Sequence, residues 1–138
     1  MTEIERQRRG NADNDVRDTK GPHRVQQRRT SGWRKPENTV SVARPSKFGN
    51  PVRIVPVRAR GPFDLERDGV GFVGQCTDIE GARRSAVSRY RDLLLNHPDL
   101  VRVTIDEIRR ELRGKNLMCF CPLDQPCHAD VLLEIANA

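Results

Sequence analysis

Asn116-Leu-Met-Cys-Phe-Cys-Pro-Leu-Asp-Gln-Pro-Cys-His-Ala-Asp-Val-Leu-Leu-Glu-Ile-Ala136 is the stretch that decides the fold class. From Asn116 to Cys121 the residues alternate as a buried strand does. Pro122 and Pro126 bound a tight loop, and past it Val131, Leu132, Ile135 and Ala136 recur at helical spacing. That spacing predicts a helix from about Pro126 to Asn137. A strand handed directly to a helix is the building step of α/β architecture.

Working upstream, Thr104-x-x-Glu107 is a capping box that opens a short helix through Ile105, Ile108 and Leu112, stopped at Gly114. Thr77-x-x-Glu80 reads as a second box. Behind it Ala82, Ala86, Val87, Tyr90, Leu93 and Leu94 mark a longer helix that ends at Asn96 and Pro98. Thr39-Val-Ser-Val-Ala alternates and is β-branched, which makes it the first expected strand. Val52 to Val57 is expected as an edge strand, because Pro56 has no N–H for a ladder. The glycine-rich stretch from Gly61 to Gly74 reads as a long loop or irregular hairpin. The expected fold is therefore α/β: a small, mostly parallel sheet packed by helices. Residues 1–21, polar and without hydrophobic period, are expected to be a disordered arm, and residues 22–138 one small domain.

Composition narrows the setting. No apolar run approaches the roughly 20 residues that span a bilayer, and the first residues lack the apolar stretch of a secretory signal. A cytoplasmic protein with no membrane partner is expected. The chain carries 25 basic and 19 acidic side chains, a net charge of +6. The arm is balanced, with five of each sign, so the excess sits on the folded part and favours anionic partners such as nucleotides or nucleic acid. Trp33, alone among the arginines of residues 22–37, can stack on a base or tuck against the domain.

Three of the four cysteines fall within nine residues, beside a histidine. In a reducing compartment this clustering points away from disulfides. Cys119 and Cys121, two apart on a strand, share a face, at the strand end where open α/β sheets place their sites. Cys127 and His128 enter the first turn of a helix, whose N–H groups favour a thiolate. Three chemistries fit these residues. Cys119, Cys121, Cys127 and His128 form a set that zinc accepts. Cys127 can serve as a catalytic nucleophile assisted by His128. The sulfurs can also pack as core, with His128 capping the helix, and core packing is the expected role of the isolated Cys76.

Arg44-Pro-Ser-Lys-Phe-Gly-Asn-Pro51 follows a strand directly. Read as a binding turn, it offers Arg44 and Lys47 to an anion, Ser46 as a hydrogen-bond donor and Asn50 as a cap or ligand contact. Read as structure, it is a proline-bounded turn. Its glycine spacing is not that of a phosphate-binding loop.

Arg24-Val-Gln-Gln-Arg-Arg-Thr-x-Gly-Trp-Arg, Asn38 through Pro51, Leu112-Arg-Gly-Lys, and Cys119-Phe-Cys-Pro through Cys127-His-Ala-Asp-Val-Leu together resemble the bacterial and phage family catalogued as domain of unknown function 4326. The positions of Phe48 and Phe120 are usually tryptophan in that family, so an aromatic is kept at both. Residues 61–74 match no pattern of the family. The resemblance implies a shared fold, and a basic turn that belongs with the Cys–His segment; it implies no activity. The expectation that follows is a nucleotide- or nucleic-acid-associated protein with one composite pocket, in which Arg44, Ser46, Lys47 and Asn50 face the sulfurs; Arg113 and Lys115, just before the strand, either add charge or, the favoured reading, sit on a solvated loop. The rival is a non-enzymatic, zinc-stabilised module that binds nucleic acid or protein.

Overall fold

The structure, a computed structural model, describes residues 21–138, so the arm expected over residues 1–21 lies, apart from Gly21, outside the described residues. In chain order the elements are β1 (Arg24–Gln26), β2 (Thr39–Ser41), β3 (Val52–Pro56), β4 (Phe63–Arg67), β5 (Gly71–Cys76), α1 (Ile79–Asn96), a 3-10 turn (Pro98–Leu100), α2 (Ile105–Leu112), β6 (Asn116–Cys119) and α3 (His128–Ala136).

The strands form two sheets rather than the single, mostly parallel one expected. One is parallel, with β6 between β1 and β2; the other is an antiparallel run of β3, β4 and β5. The Gly61 to Gly74 region is the reason for the difference. Its glycines make the close turn of a hairpin, with Gly69 between β4 and β5 and Gly71 at the start of β5 both at positive φ. The ladder shifts register between Leu65 and Glu66, so this is the irregular form of that hairpin. Among the described residues β3 pairs only with β4, which puts Pro56 on an edge strand. β1 escapes sequence reading because it spans three residues, Arg-Val-Gln, two of them polar.

Helix ends follow local chemistry. At α2 the expected box is present in both directions: the Glu107 N–H donates to Thr104 Oγ1 at 3.1 Å, and the Thr104 N–H to Glu107 Oε1 at 3.0 Å. At α1 the cap is Asp78 rather than Thr77, its carboxylate accepting the Gly81 N–H at 2.7 Å. Aspartate is at least as good a cap as threonine, and it stands one residue nearer the apolar run.

At about 100° per residue, Ala82, Ala86 and Leu93 form one stripe of α1, while Tyr90 and Leu94 form the adjoining one. The first stripe packs with Val52, Phe63 and Leu65 of the antiparallel sheet. The second packs with Phe48, Ile108, Leu117 and the apolar face of α3. One helix thus closes both cores, and the Tyr90 hydroxyl donates to the Phe48 carbonyl at 2.8 Å within the larger. Cys76 packs, half-buried, against the smaller core. Among the described residues, no helix is long and apolar enough to cross a membrane.

Candidate ligand cavity and thiol cluster

Parallel pairing puts the carboxyl ends of β1, β6 and β2 on one edge. The register sets Gln26 against Cys119 and Ser41 against Met118. The ladder runs on past the strand ends, with the Gln27 N–H donating to the Cys119 carbonyl at 2.8 Å and the Val42 N–H to the Met118 carbonyl at 2.9 Å. From this edge the chain departs as Arg28-Arg29, as Ala43-Arg44 and as Phe120-Cys121. Backbone topology therefore gathers the basic turn and the sulfur-bearing loop, which lie far apart in sequence.

The three sulfurs meet. Cys119 and Cys121 keep the shared face expected of them, their Sγ atoms 3.7 Å apart. Cys127 comes from across the loop, and all three Sγ atoms lie within 4.8 Å of one another. Arg24 shapes that loop from beneath. Its buried guanidinium donates to the carbonyls of Pro122 at 3.2 Å and Leu123 at 2.6 Å, and meets Asp130 of α3 at 3.4 Å. Asp130 also accepts the Cys127 N–H at 3.3 Å.

His128 stands outside the gathered set, which consists of the three sulfurs alone. Its Nε2 lies 2.7 Å from the Val42 carbonyl. A carbonyl only accepts, so Nε2 carries the proton, and Nδ1 turns toward Cys127 Sγ, 3.7 Å away. This pair can pass a proton. Hydrogen bonds from Cys121 and Cys127 pull the Cys119 thiol down. The bond to Cys119 pushes the Cys121 thiol up, and bonds to both neighbours, with burial, push Cys127 up.

A cavity of about 510 Å³ opens above the sulfurs. Cys119, Cys121, Cys127 and His128 line it, and so do Arg44 and Asn50 from the basic turn. Ser46 and Lys47 do not. Ser46 holds the turn through Oγ, which accepts the Phe48 N–H at 3.2 Å, and Lys47 reaches away to Glu107 at 3.1 Å and Glu111 at 2.9 Å on α2. Both Asn50 side-chain atoms are committed: Nδ2 donates to the Ala86 carbonyl at 3.0 Å, and Oδ1 accepts the Val52 N–H at 2.9 Å. Arg44 forks onto Asp68 at 2.9 and 3.2 Å, and this bond holds the Asp68 carboxyl below its usual range.

Sequence reading missed three cationic walls of the cavity: Arg29, Arg53 and Arg83. Arg29 lies over the Phe120 ring at 4.3 Å. Among the described residues, neither Arg29 nor Arg83 has a carboxylate partner. Arg83 stood in the sequence as one of many helical arginines, and only the packing of α1 selects it. Trp33 is half-buried and does not line the cavity. Arg113 is spent on α3, where its guanidinium donates to the Ala136 carbonyl at 2.8 Å and the Ala138 carbonyl at 3.0 Å.

A family model described as "Domain of unknown function" matches residues 25–138. The chain belongs to that family, DUF4326. No curated protein and no solved structure matches it. In this family member, Arg24–Arg29, Ala43–Asn50 and Cys119–His128 all converge on the cavity or on the loop beneath it. Residues 61–74, which the family model also spans, form most of β4 and β5, and none of them lines the cavity.

Proposed function

We propose that the protein binds a nucleotide, free or at the end of a nucleic-acid strand, in the cavity above the thiol cluster. The observation that carries this reading is the charge of the walls: Arg29, Arg44, Arg53 and Arg83 line the cavity, with no carboxylate among its lining residues. A cavity of about 510 Å³ is in the range that small-molecule sites occupy. Its remaining surface supports the same reading. Val52, Ile54, Val55 and Val87 offer an apolar wall to a ring, and Phe120 beneath the Arg29 guanidinium offers a stacking face. Arg44 and Arg53 share Asp68, whereas Arg29 and Arg83 have no carboxylate among the described residues and supply the charge for a phosphate.

Calorimetric titration with the common nucleoside monophosphates tests this, with inorganic phosphate and an uncharged nucleoside alongside. A nucleotide is expected to bind more tightly than either fragment, and more weakly as salt rises. Arg29→Ala and Arg83→Ala are each expected to weaken binding about tenfold or more, since a charge-assisted hydrogen bond is worth roughly 1.5–3 kcal/mol. Arg58→Ala, in the turn outside the cavity, should leave it unchanged. Failure to bind any nucleotide at millimolar concentration, or binding indifferent to Arg29 and Arg83, would refute the reading.

A further inference from the structure

We infer that Cys119, Cys121 and Cys127 hold one zinc ion through three thiolates, leaving a fourth coordination position open to the cavity. The sulfur geometry alone carries this, and it does not depend on what occupies the cavity above.

Distance comes first. Two thiolates bound to one tetrahedral zinc, each at about 2.3 Å, stand about 3.8 Å apart. Cys119 and Cys121 Sγ are already 3.7 Å apart, and Cys127 completes a triangle with every separation within 4.8 Å. Sulfurs that ligate different irons of a cluster stand on separate corners and cannot crowd together in this way. One ion suits the triangle.

Charge agrees with distance. Three thiolates around a divalent ion leave one net negative charge, which needs cationic surroundings. The Arg24 guanidinium lies under the loop that joins the cysteines, bonded to the carbonyls of Pro122 and Leu123. The start of α3, with its N-terminal partial positive charge, stands at Cys127. Arg24 fixes the loop as the outer partners of metal ligands do, and so sets the ligand geometry before the ion arrives.

The open position follows from His128. The fold gathers the three sulfurs into one ligand set without it, and His128, whose Nε2 is bonded to the Val42 carbonyl, keeps Nδ1 3.7 Å from Cys127 Sγ. All three cysteines line the cavity, so the missing side of the tetrahedron faces the cavity. Structural zinc sites are closed by four protein ligands, whereas three protein ligands and one exchangeable position are the arrangement of sites that act on a bound molecule.

The purified full chain, expressed with zinc in the medium, tests this by elemental analysis and X-ray absorption at the zinc edge. One equivalent of zinc is expected, with three sulfur neighbours at about 2.3 Å and one lighter neighbour. After exchange for cobalt, the visible bands should be those of a tetrahedral ion with sulfur-to-metal charge transfer, and added imidazole should shift them by taking the open position. Cys119→Ser, Cys121→Ser and Cys127→Ser should each weaken zinc binding by more than about 100-fold, beyond the loss usual for an outer partner. Protein that retains no zinc and gives no sulfur-to-cobalt bands on titration would overturn the inference. So would a histidine scattering pattern at the zinc edge together with a cobalt spectrum indifferent to imidazole, since His128 would then close the site. The absorption measurement uses the unaltered protein, so it reports the ligands whatever a substitution does to folding.

Discussion

Asn50 separates a residue that holds the cavity together from one that touches its occupant. Its amide joins the start of β3 to α1, accepting the Val52 N–H at 2.9 Å and donating to the Ala86 carbonyl at 3.0 Å. Val52 is 5% exposed, so Asn50→Ala strands its N–H away from water, at about 1–3 kcal/mol. The Ala86 carbonyl keeps its bond within α1 and loses only its second donor, about 0.5–1.5 kcal/mol. The expected destabilisation is thus about 2–4 kcal/mol, a fall on the order of 10 °C in Tm for a chain of this size. Urea and thermal unfolding followed by circular dichroism measure it, and amide exchange at Val52 should speed up more than exchange in β6. Nucleotide affinity, counted per folded molecule, should change little. A Tm for Asn50→Ala within about 1 °C of the parent, together with collapsed affinity, would contradict this role, because the amide would then be a ligand contact.

Other expected outcomes follow from the same geometry. Tyr90→Phe removes the buried hydroxyl bonded to the Phe48 carbonyl and should cost about 1–2 kcal/mol in urea unfolding, with the thiol cluster unaffected. Gly61→Ala should destabilise far more than Gly69→Ala: both have positive φ, but a Cβ at Gly61 would lie 2.6 Å from the Thr77 carbonyl oxygen, whereas at Gly69 it meets nothing within 4 Å. Asp68, Glu107 and Glu134 have carboxyl groups lowered by Arg44, by the Thr104 N–H with Lys47, and by Arg91 respectively. Groups lowered on folding stabilise the protein above their unfolded values near pH 4 and stop doing so as pH falls through the folded ones. Tm should therefore drop on acidification below about pH 4, and Asp68→Asn should flatten part of that drop; because the pairs are exposed, added salt should shrink the difference. Lys47→Met should leave nucleotide affinity unchanged, since Lys47 turns away from the cavity to Glu107 and Glu111.

Local chemistry made α1, α2, α3 and β6 legible. Helical spacing, the Thr104–Glu107 box and the alternation around Met118 each act within a few residues, so the chain displays them openly. The two sheets were less visible because pairing is a property of partners. Arg24-Val-Gln becomes a strand only beside Leu117 and Met118, and Phe63–Arg67 becomes one only between β3 and β5. The convergence of the sulfurs was legible, since C-x-C on a strand end shares a face and the proline-bounded loop returns Cys127 to it, but their chemistry was not, three readings fitting the same residues. The cationic walls were not. Lys47 looked as promising as Arg44, and Arg83 less so than either. The deciding fact is which carboxylates fold in beside each: Glu107 and Glu111 for Lys47, Asp68 for Arg44, and none among the described residues for Arg83.

The two stripes of α1 have a mechanical consequence. Val52, Ile54 and Val55 reach the cavity from the hairpin half of the molecule, and the cysteines reach it from the other half. An occupant would therefore work as mortar in a seam, clasped by masonry on either side. Filling that seam should slow the parting of the hairpin from the parallel sheet, so that hydrogen exchange in β3 and in β6 becomes protected in step.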